Sequence, residues 1–116
     1  MSGLQSYQFG HAAEDHAAAL YQAQGAEVVA RRFKVREGEV DLIAKLGDQL
    51  VFIEVKARRS LEDAAAAINP RQWRRVADAA LAYLNASNLS LTTDVRFDAV
   101  LMDRSGQSAI VENVTM

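Results

Sequence analysis

The chain contains no cysteine and one proline, and its 13 basic residues nearly balance 15 acidic ones. The missing thiols exclude disulfides and thiolate metal sites, and are compatible with a reducing cytoplasm. The near-neutral charge argues against a protein that coats nucleic acid by bulk electrostatics. No apolar run approaches the ~20 residues needed to span a bilayer. The start, Met1-Ser2-Gly3-Leu4-Gln5, lacks the basic and apolar regions of a signal peptide. The expectation is a soluble, cytoplasmic protein with no membrane partner. Half of the 116 residues are apolar, enough for one core without staples. Residues 1–8 are expected to form a flexible N-terminus and residues 9–116 a single domain.

Periodicity predicts a helix from Phe9 to Gln24, with Ala12, Ala13, Ala17, Leu20 and Tyr21 in helical spacing and Gly25 placed to end it. Glu14 lies on this helix, bordering its small-residue side. Strands are predicted over 27–34, 39–46 and 49–56, with Gly47-Asp48 as the hairpin turn between the last two. Ser60 resembles a cap for a short alanine-rich helix. Asn69 before Pro70 opens a longer helix, with Trp73, Val76, Ala77, Ala80, Leu81 and Leu84 as its buried stripe. A fourth strand is expected over 93–102, and an edge strand over 109–114. No repeat, linker or second domain is visible.

The informative residues are charges on the apolar strands. If Gly47 and Asp48 make the turn, Leu46 faces Gln49, Asp41 faces Glu54 and Glu39 faces Lys56. In that register Glu39, Asp41, Glu54 and Lys56 share one face. Val40, Leu42, Val51, Ile53 and Val55 share the other. Two ionised carboxylates with Cβ atoms about 5 Å apart repel by roughly 3 kcal/mol at an effective dielectric of about 20. A shared proton, the Lys56 ammonium or a divalent cation would each offset that repulsion. Hard oxygen ligands with open positions suit Mg²⁺ or Mn²⁺, and the set is that of a metal-dependent nuclease centre. The plain alternative is Lys56 pairing with Glu39 or Glu54 in an exposed ladder, and a one-residue slip would part Asp41 from Glu54.

Basic residues fall in three stretches: Arg31 to Arg36, Arg58 with Arg59, and Arg71 to Arg75. Each reads as a solvated face unless it converges on the carboxylates. His11 and His16 are spaced poorly for a shared helical face, so they read as surface residues. Trp73 reads as core, and Arg96 with Asp98 as a structural pair on one strand face.

Three segments, Phe9-Gly10 with Glu14-Asp15 and Ala17-Ala18, Gly38 to Ala44, and Leu50 to Arg59, closely resemble the YraN-like family of bacterial proteins. That family is grouped with the restriction-endonuclease-like, PD-(D/E)xK, nucleases, near the Holliday junction resolvases. The resemblance spans about Phe9 to Met102. It implies an α/β domain, a mixed β-sheet flanked by helices in the order αβββαβ(β). It also implies that Asp41, Glu54 and the Val55 carbonyl hold Mg²⁺ or Mn²⁺, with Glu14 completing the acidic cluster and Lys56 positioning the attacking water.

Arg58, Arg59, Arg71, Gln72 and Arg75 are then the candidates for DNA contact. The expected activity is hydrolysis of phosphodiester bonds in DNA, including branched DNA, by a protein that forms a homodimer. Two departures stand out. Ala13 replaces a glycine common before the helix acid, and Arg71-Gln72 occupies a place where relatives often carry lysine. Two rival readings keep the fold without cleavage: a nucleic-acid-binding module, and a protein-interaction domain using the sheet edge.

Overall fold

The computed structural model describes residues 3–114, with side chains of the first helix described from residue 9. The elements are α1 (Gly3–Ala23), β1 (Glu27–Lys34), β2 (Glu39–Leu46), β3 (Gln49–Ala57), α2 (Leu61–Ala66), α3 (Pro70–Ala86), β4 (Val95–Met102) and β5 (Ser108–Val111). The five strands form one sheet in chain order. Every neighbouring pair is antiparallel except β3 and β4. A parallel pair needs a long crossover, and α2 and α3 supply it.

Both faces of the sheet are covered, so the central strands are apolar on both sides rather than alternating. On one face α1 lays Ala13, Ala17 and Tyr21 against Leu42, Ala44, Val51, Ile53, Val100 and Met102. On the other, α3 packs Trp73, Val76, Ala80 and Leu84 against Ile43, Leu50, Phe52, Ala99 and Leu101. Ser60 and Asn69 cap α2 and α3 by accepting from the amides of Asp63 and Gln72. Gly38 fixes how closely α3 approaches: a Cβ there would lie 1.9 Å from the Arg75 carbonyl oxygen.

The predicted hairpin register holds for every described β2–β3 pair, from Leu46↔Gln49 to Leu42↔Ile53. Several expectations are corrected. The first helix begins at Gly3, within the segment expected as the N-terminal tail; Met1 and Ser2 lie outside the described residues. The last strand is shorter, ending at Val111. Leu81 is 55% exposed, and Ala79 takes its place in the stripe of α3.

Val40 does not share a face with Leu42: it packs with Ile43 on the α3 side, whereas Leu42 faces α1. The cause is a break in alternation on the neighbouring strand. Arg32 has φ 51°, between Arg31, which pairs with Leu42, and Phe33, which pairs with Val40. A left-handed non-glycine residue in a strand costs roughly 1–3 kcal/mol and turns the strand over locally. That break sits beside Asp41.

Candidate active site

Beyond Leu42↔Ile53 the β2–β3 ladder opens, and side chains replace the main chain. The Asp41 amide donates to Glu54 Oε1 at 3.1 Å, and the Val55 amide donates to Asp41 Oδ2 at 2.8 Å. Each carboxylate thus satisfies a backbone donor that the splayed strands would otherwise leave unpaired. The second Glu54 oxygen accepts from Gln72 Nε2 at 2.8 Å, reaching it from the first turn of α3. Lys56 Nζ donates to Gln72 Oε1 and lies 3.8 Å from Glu54 Oε2. Gln72 therefore bridges acid and base. It was expected to contact DNA, and the structure turns both ends of its amide inward.

Glu54 is 3% exposed and Lys56 7%. That burial overturns the exposed-ladder alternative. Glu39, expected opposite Lys56, instead pairs with Lys34 across β1–β2, their charged groups 3.9 Å apart on the surface.

Burial is the main cause pushing both carboxyls up, Asp41 to about 6 and Glu54 to about 8. Glu14 pushes Asp41 further, Asp41 pushes Glu54 further, and Lys56 opposes both shifts. The same burial lowers Lys56 from its ordinary value, against the pull of Glu54 and Asp41. Two carboxyls pushed up by burial beside a lysine pushed down by it are the usual electrostatic mark of a reacting centre.

A cavity of about 430 Å³ opens over this end of the sheet. Glu14, Asp41, Glu54, Val55, Lys56, Arg58, Arg59 and Gln72 all line it, so eight of the ten residues expected from sequence converge. Arg71 and Arg75 do not line it; Arg71 is exposed on α3, and Arg75 is exposed above its contact with Gly38. Glu14 faces the cavity but donates its charge elsewhere, accepting from Arg32 Nε at 3.0 Å. Among the described residues no group of three or more histidine or acidic side chains is close enough to hold a metal ion.

Phe9, Gly10 and Arg104 also line the cavity, and none was a candidate from sequence. Arg104 was traceable in principle. A helical crossover makes β3 and β4 parallel, which sets their C-terminal ends side by side. Ala57 pairs with Met102, the Arg58 amide donates to the Met102 carbonyl at 3.0 Å, and Arg104 follows in the next turn.

Arg96 and Asp98 stay apart from this centre. Arg96 grips Asp98 at 2.9 to 3.2 Å, and Asp98 also accepts from Tyr21 at 2.6 Å and from the Asn113 amide at 3.0 Å. This fully buried carboxylate pins α1 to β4, which bears out the structural reading. Burial, followed by the bond to Asp98, pushes the Tyr21 hydroxyl well above its ordinary range. Trp73 packs edge-on to Phe97 at 6.3 Å, as core.

The chain belongs to the uncharacterised protein family UPF0102, whose family model matches residues 13–102. It is 47% identical over 97 residues to a UPF0102 protein of Rhodopseudomonas palustris, covering 84% of this chain and 72% of that one. A UPF0102 protein of Bradyrhizobium sp. is 45% identical over 97 residues, covering 84% and 71%. One from Cereibacter sphaeroides is 42% identical over 113 residues, covering 97% of each. The YraN-like resemblance is thereby family membership. The matched span takes in Glu14, Asp41, Glu54, Lys56 and Gln72, while Phe9, Gly10 and Arg104 lie outside it. Among the described residues no helix is long and apolar enough to cross a membrane.

Proposed function

We propose that this protein is a metal-dependent nuclease that hydrolyses phosphodiester bonds in DNA, with branched DNA as the substrate form suggested by the resolvase-like motifs. The observation that carries the reading is the buried Asp41–Glu54–Lys56 group at the floor of a cavity rimmed by Arg58, Arg59 and Arg104.

The donor set fits a hard divalent cation. Mg²⁺ and Mn²⁺ are commonly held by one or two carboxylates with waters completing the shell, and Asp41, Glu54 and the Val55 carbonyl are the residues that would hold one here. When bound, such an ion supplies Lewis-acid stabilisation of phosphoryl charge and a more acidic water. Glu14 would join only by leaving Arg32.

The chain's own residues do the rest. Gln72 and Glu54 fix the Lys56 ammonium, which is aimed to orient the attacking water and to meet charge developing on a phosphoryl oxygen. The water oxygen bonds to phosphorus as the P–O bond to one ester oxygen breaks; the attacking water gives its proton to solvent, and the leaving oxygen takes one from solvent to become a hydroxyl. Arg58, Arg59 and Arg104 hold flanking phosphates by charge-assisted hydrogen bonds. Two copies acting together would serve the two strands of a symmetric junction, so a homodimer on DNA is part of the proposal.

The test is calorimetric titration with Mn²⁺ beside cleavage of labelled linear, single-stranded and four-way-junction DNA. Asp41→Asn should lose both metal binding and cleavage; Lys56→Ala should keep the metal and lose cleavage. A wild-type protein that binds no divalent ion and cuts none of these DNAs sinks the reading.

A second reading, a DNA-binding module that does not cut, draws on the absence of a three-carboxylate group among the described residues. It predicts intact DNA affinity that falls with salt at a log–log slope of roughly −0.9 per phosphate neutralised, and no cleavage in any metal.

A further inference from the structure

One wall of the cavity is formed by Phe9, Gly10 and Glu14 of α1, and it is built in an unusual way. Gly10 sits inside a 21-residue helix, where glycine is the poorest choice after proline. No turn requires it, because its φ is not positive. No packing requires it either: a Cβ added at Gly10 meets nothing within 4 Å. Gly10 lies one helical turn before Glu14, and both line the cavity. The missing side chain therefore leaves space on the cavity side. Next to it Phe9, a partly buried aromatic residue, also lines the cavity.

The floor is recessed. Glu54 is 3% exposed and Lys56 7%, so a reacting phosphate must enter a cavity that Phe9, Gly10 and the arginines also line. A volume of about 430 Å³ is at the small end of pockets that take one compact ligand. The phosphates of a continuous duplex lie on a broad convex surface that cannot follow a recess of this size. Enzymes that take a nucleotide into a snug pocket act on single strands or draw it out of the stack. Aromatic rings beside basic residues are the usual lining of single-strand sites, because every base has a face to stack.

We infer that the cavity takes an unpaired nucleic-acid strand, one base stacked on Phe9 and its backbone passing over the space left by Gly10. The inference rests on the nuclease reading for the reacting end of the cavity and narrows its substrate class. Strands that leave the duplex, at flaps, forks and opened junctions, enter; continuous duplex does not.

The experiment measures binding of a labelled oligothymidine and of a duplex of equal length to the full chain in Ca²⁺, by fluorescence anisotropy. Cleavage of a flap and of continuous duplex is followed separately in Mg²⁺. Wild type should bind the single strand more tightly than the duplex and cut the flap in preference. Phe9→Ala should weaken single-strand binding about 5- to 150-fold, the range of one base–aromatic stack. Gly10→Leu should weaken it roughly tenfold or more, with a Tm equal to or above wild type because a strong helix former replaces glycine in open space.

Duplex bound and cut as well as single strand, or single-strand binding unmoved by both substitutions, overturns the inference. The two readings fail separately. Single-strand binding lost in Phe9→Ala without any cleavage by wild type supports the inference and removes the nuclease. Cleavage of duplex that needs Asp41 but ignores Gly10→Leu keeps the nuclease and removes the inference.

Discussion

Glu54 is held at both oxygens, by the Asp41 amide on one side and by Gln72 on the other, and Gln72 in turn holds Lys56. A single amide side chain thus sets the distance between the buried acid and the buried base. Gln72→Ala removes that bridge while leaving all the charges in place. The expected result is a 10–100-fold loss of cleavage, the usual scale for groups that orient a metal site's residues, measured as single-turnover rates with the fold checked by circular dichroism. Gln72→Glu should do worse, since it removes the amide that donates to Glu54 and sets a third carboxyl beside Asp41 and Glu54.

The same residues predict an inverted pH dependence of stability. The folded protein keeps protons on Asp41 and Glu54 up to about 6 and about 8, whereas the unfolded chain releases them near the ordinary 3.8 and 4.5. Between those limits the native state binds more protons, so the stability these two groups contribute is fully present below about pH 4 and is lost as pH rises through about 6 and then about 8. Urea denaturation of the metal-free protein across this range checks the slope. Comparison with Glu54→Gln isolates the carboxylate, because the variant should lose most of the fall. Saturating Mg²⁺ should restore stability at pH 8 in wild type, since a ligand that binds only the native state stabilises it by mass action.

At the scale of elements, β2 carries the clearest contrast between what was legible and what was not. Its ends, its turn and its register with β3 followed from alternation and from Gly47-Asp48, and the resulting apposition of Asp41 and Glu54 is where the structure puts the site. The face of Val40 did not follow, because the break in alternation comes from the backbone of Arg32 on β1 and leaves no mark in the sequence of β2. The bridge that Gln72 makes between Glu54 and Lys56 was not legible, because it depends on how α3 docks, which no local pattern encodes. Leu81 fits the apolar stripe of α3 by spacing, yet it falls at the margin of that stripe: Ala80 and Leu84 on either side of it are buried, while Leu81 is 55% exposed.

The docking of α3 depends on Gly38, where the chain approaches the Arg75 carbonyl too closely for a side chain. Gly38→Ala forces backbone against backbone, which neither element can relieve by a rotamer change. The expected cost is about 3 kcal/mol, at the upper end of overpacking effects. A lowered urea midpoint with an unchanged m-value would establish it. Because α3 carries Gln72 over Glu54, cleavage should fall further than the loss of stability alone explains.

Across the whole molecule, the helical crossover from β3 to β4 gathers the site. Making those strands parallel brings Arg58 and Arg59 beside Arg104 at one end of the sheet, over the point where β2 and β3 part. α1 contributes one wall, and the buried Tyr21–Asp98–Arg96 network ties that helix to β4. A chain of nearly balanced charge can thus still present basic side chains around a recessed acidic floor. Net charge does not register such a gathering, because the three arginines come from two separate segments.

The central claim is that this floor cuts phosphodiester bonds through Asp41 and Lys56. Its most direct test is a single-turnover time course on end-labelled flap DNA in Mg²⁺, with wild type, Asp41→Asn and Lys56→Ala prepared in parallel. The account predicts cleavage by wild type, none above background for Asp41→Asn, and a rate reduced about 100–1,000-fold for Lys56→Ala, the scale of one lost transition-state donor. Equal cleavage by all three proteins, or none by wild type while all three remain folded, would contradict it.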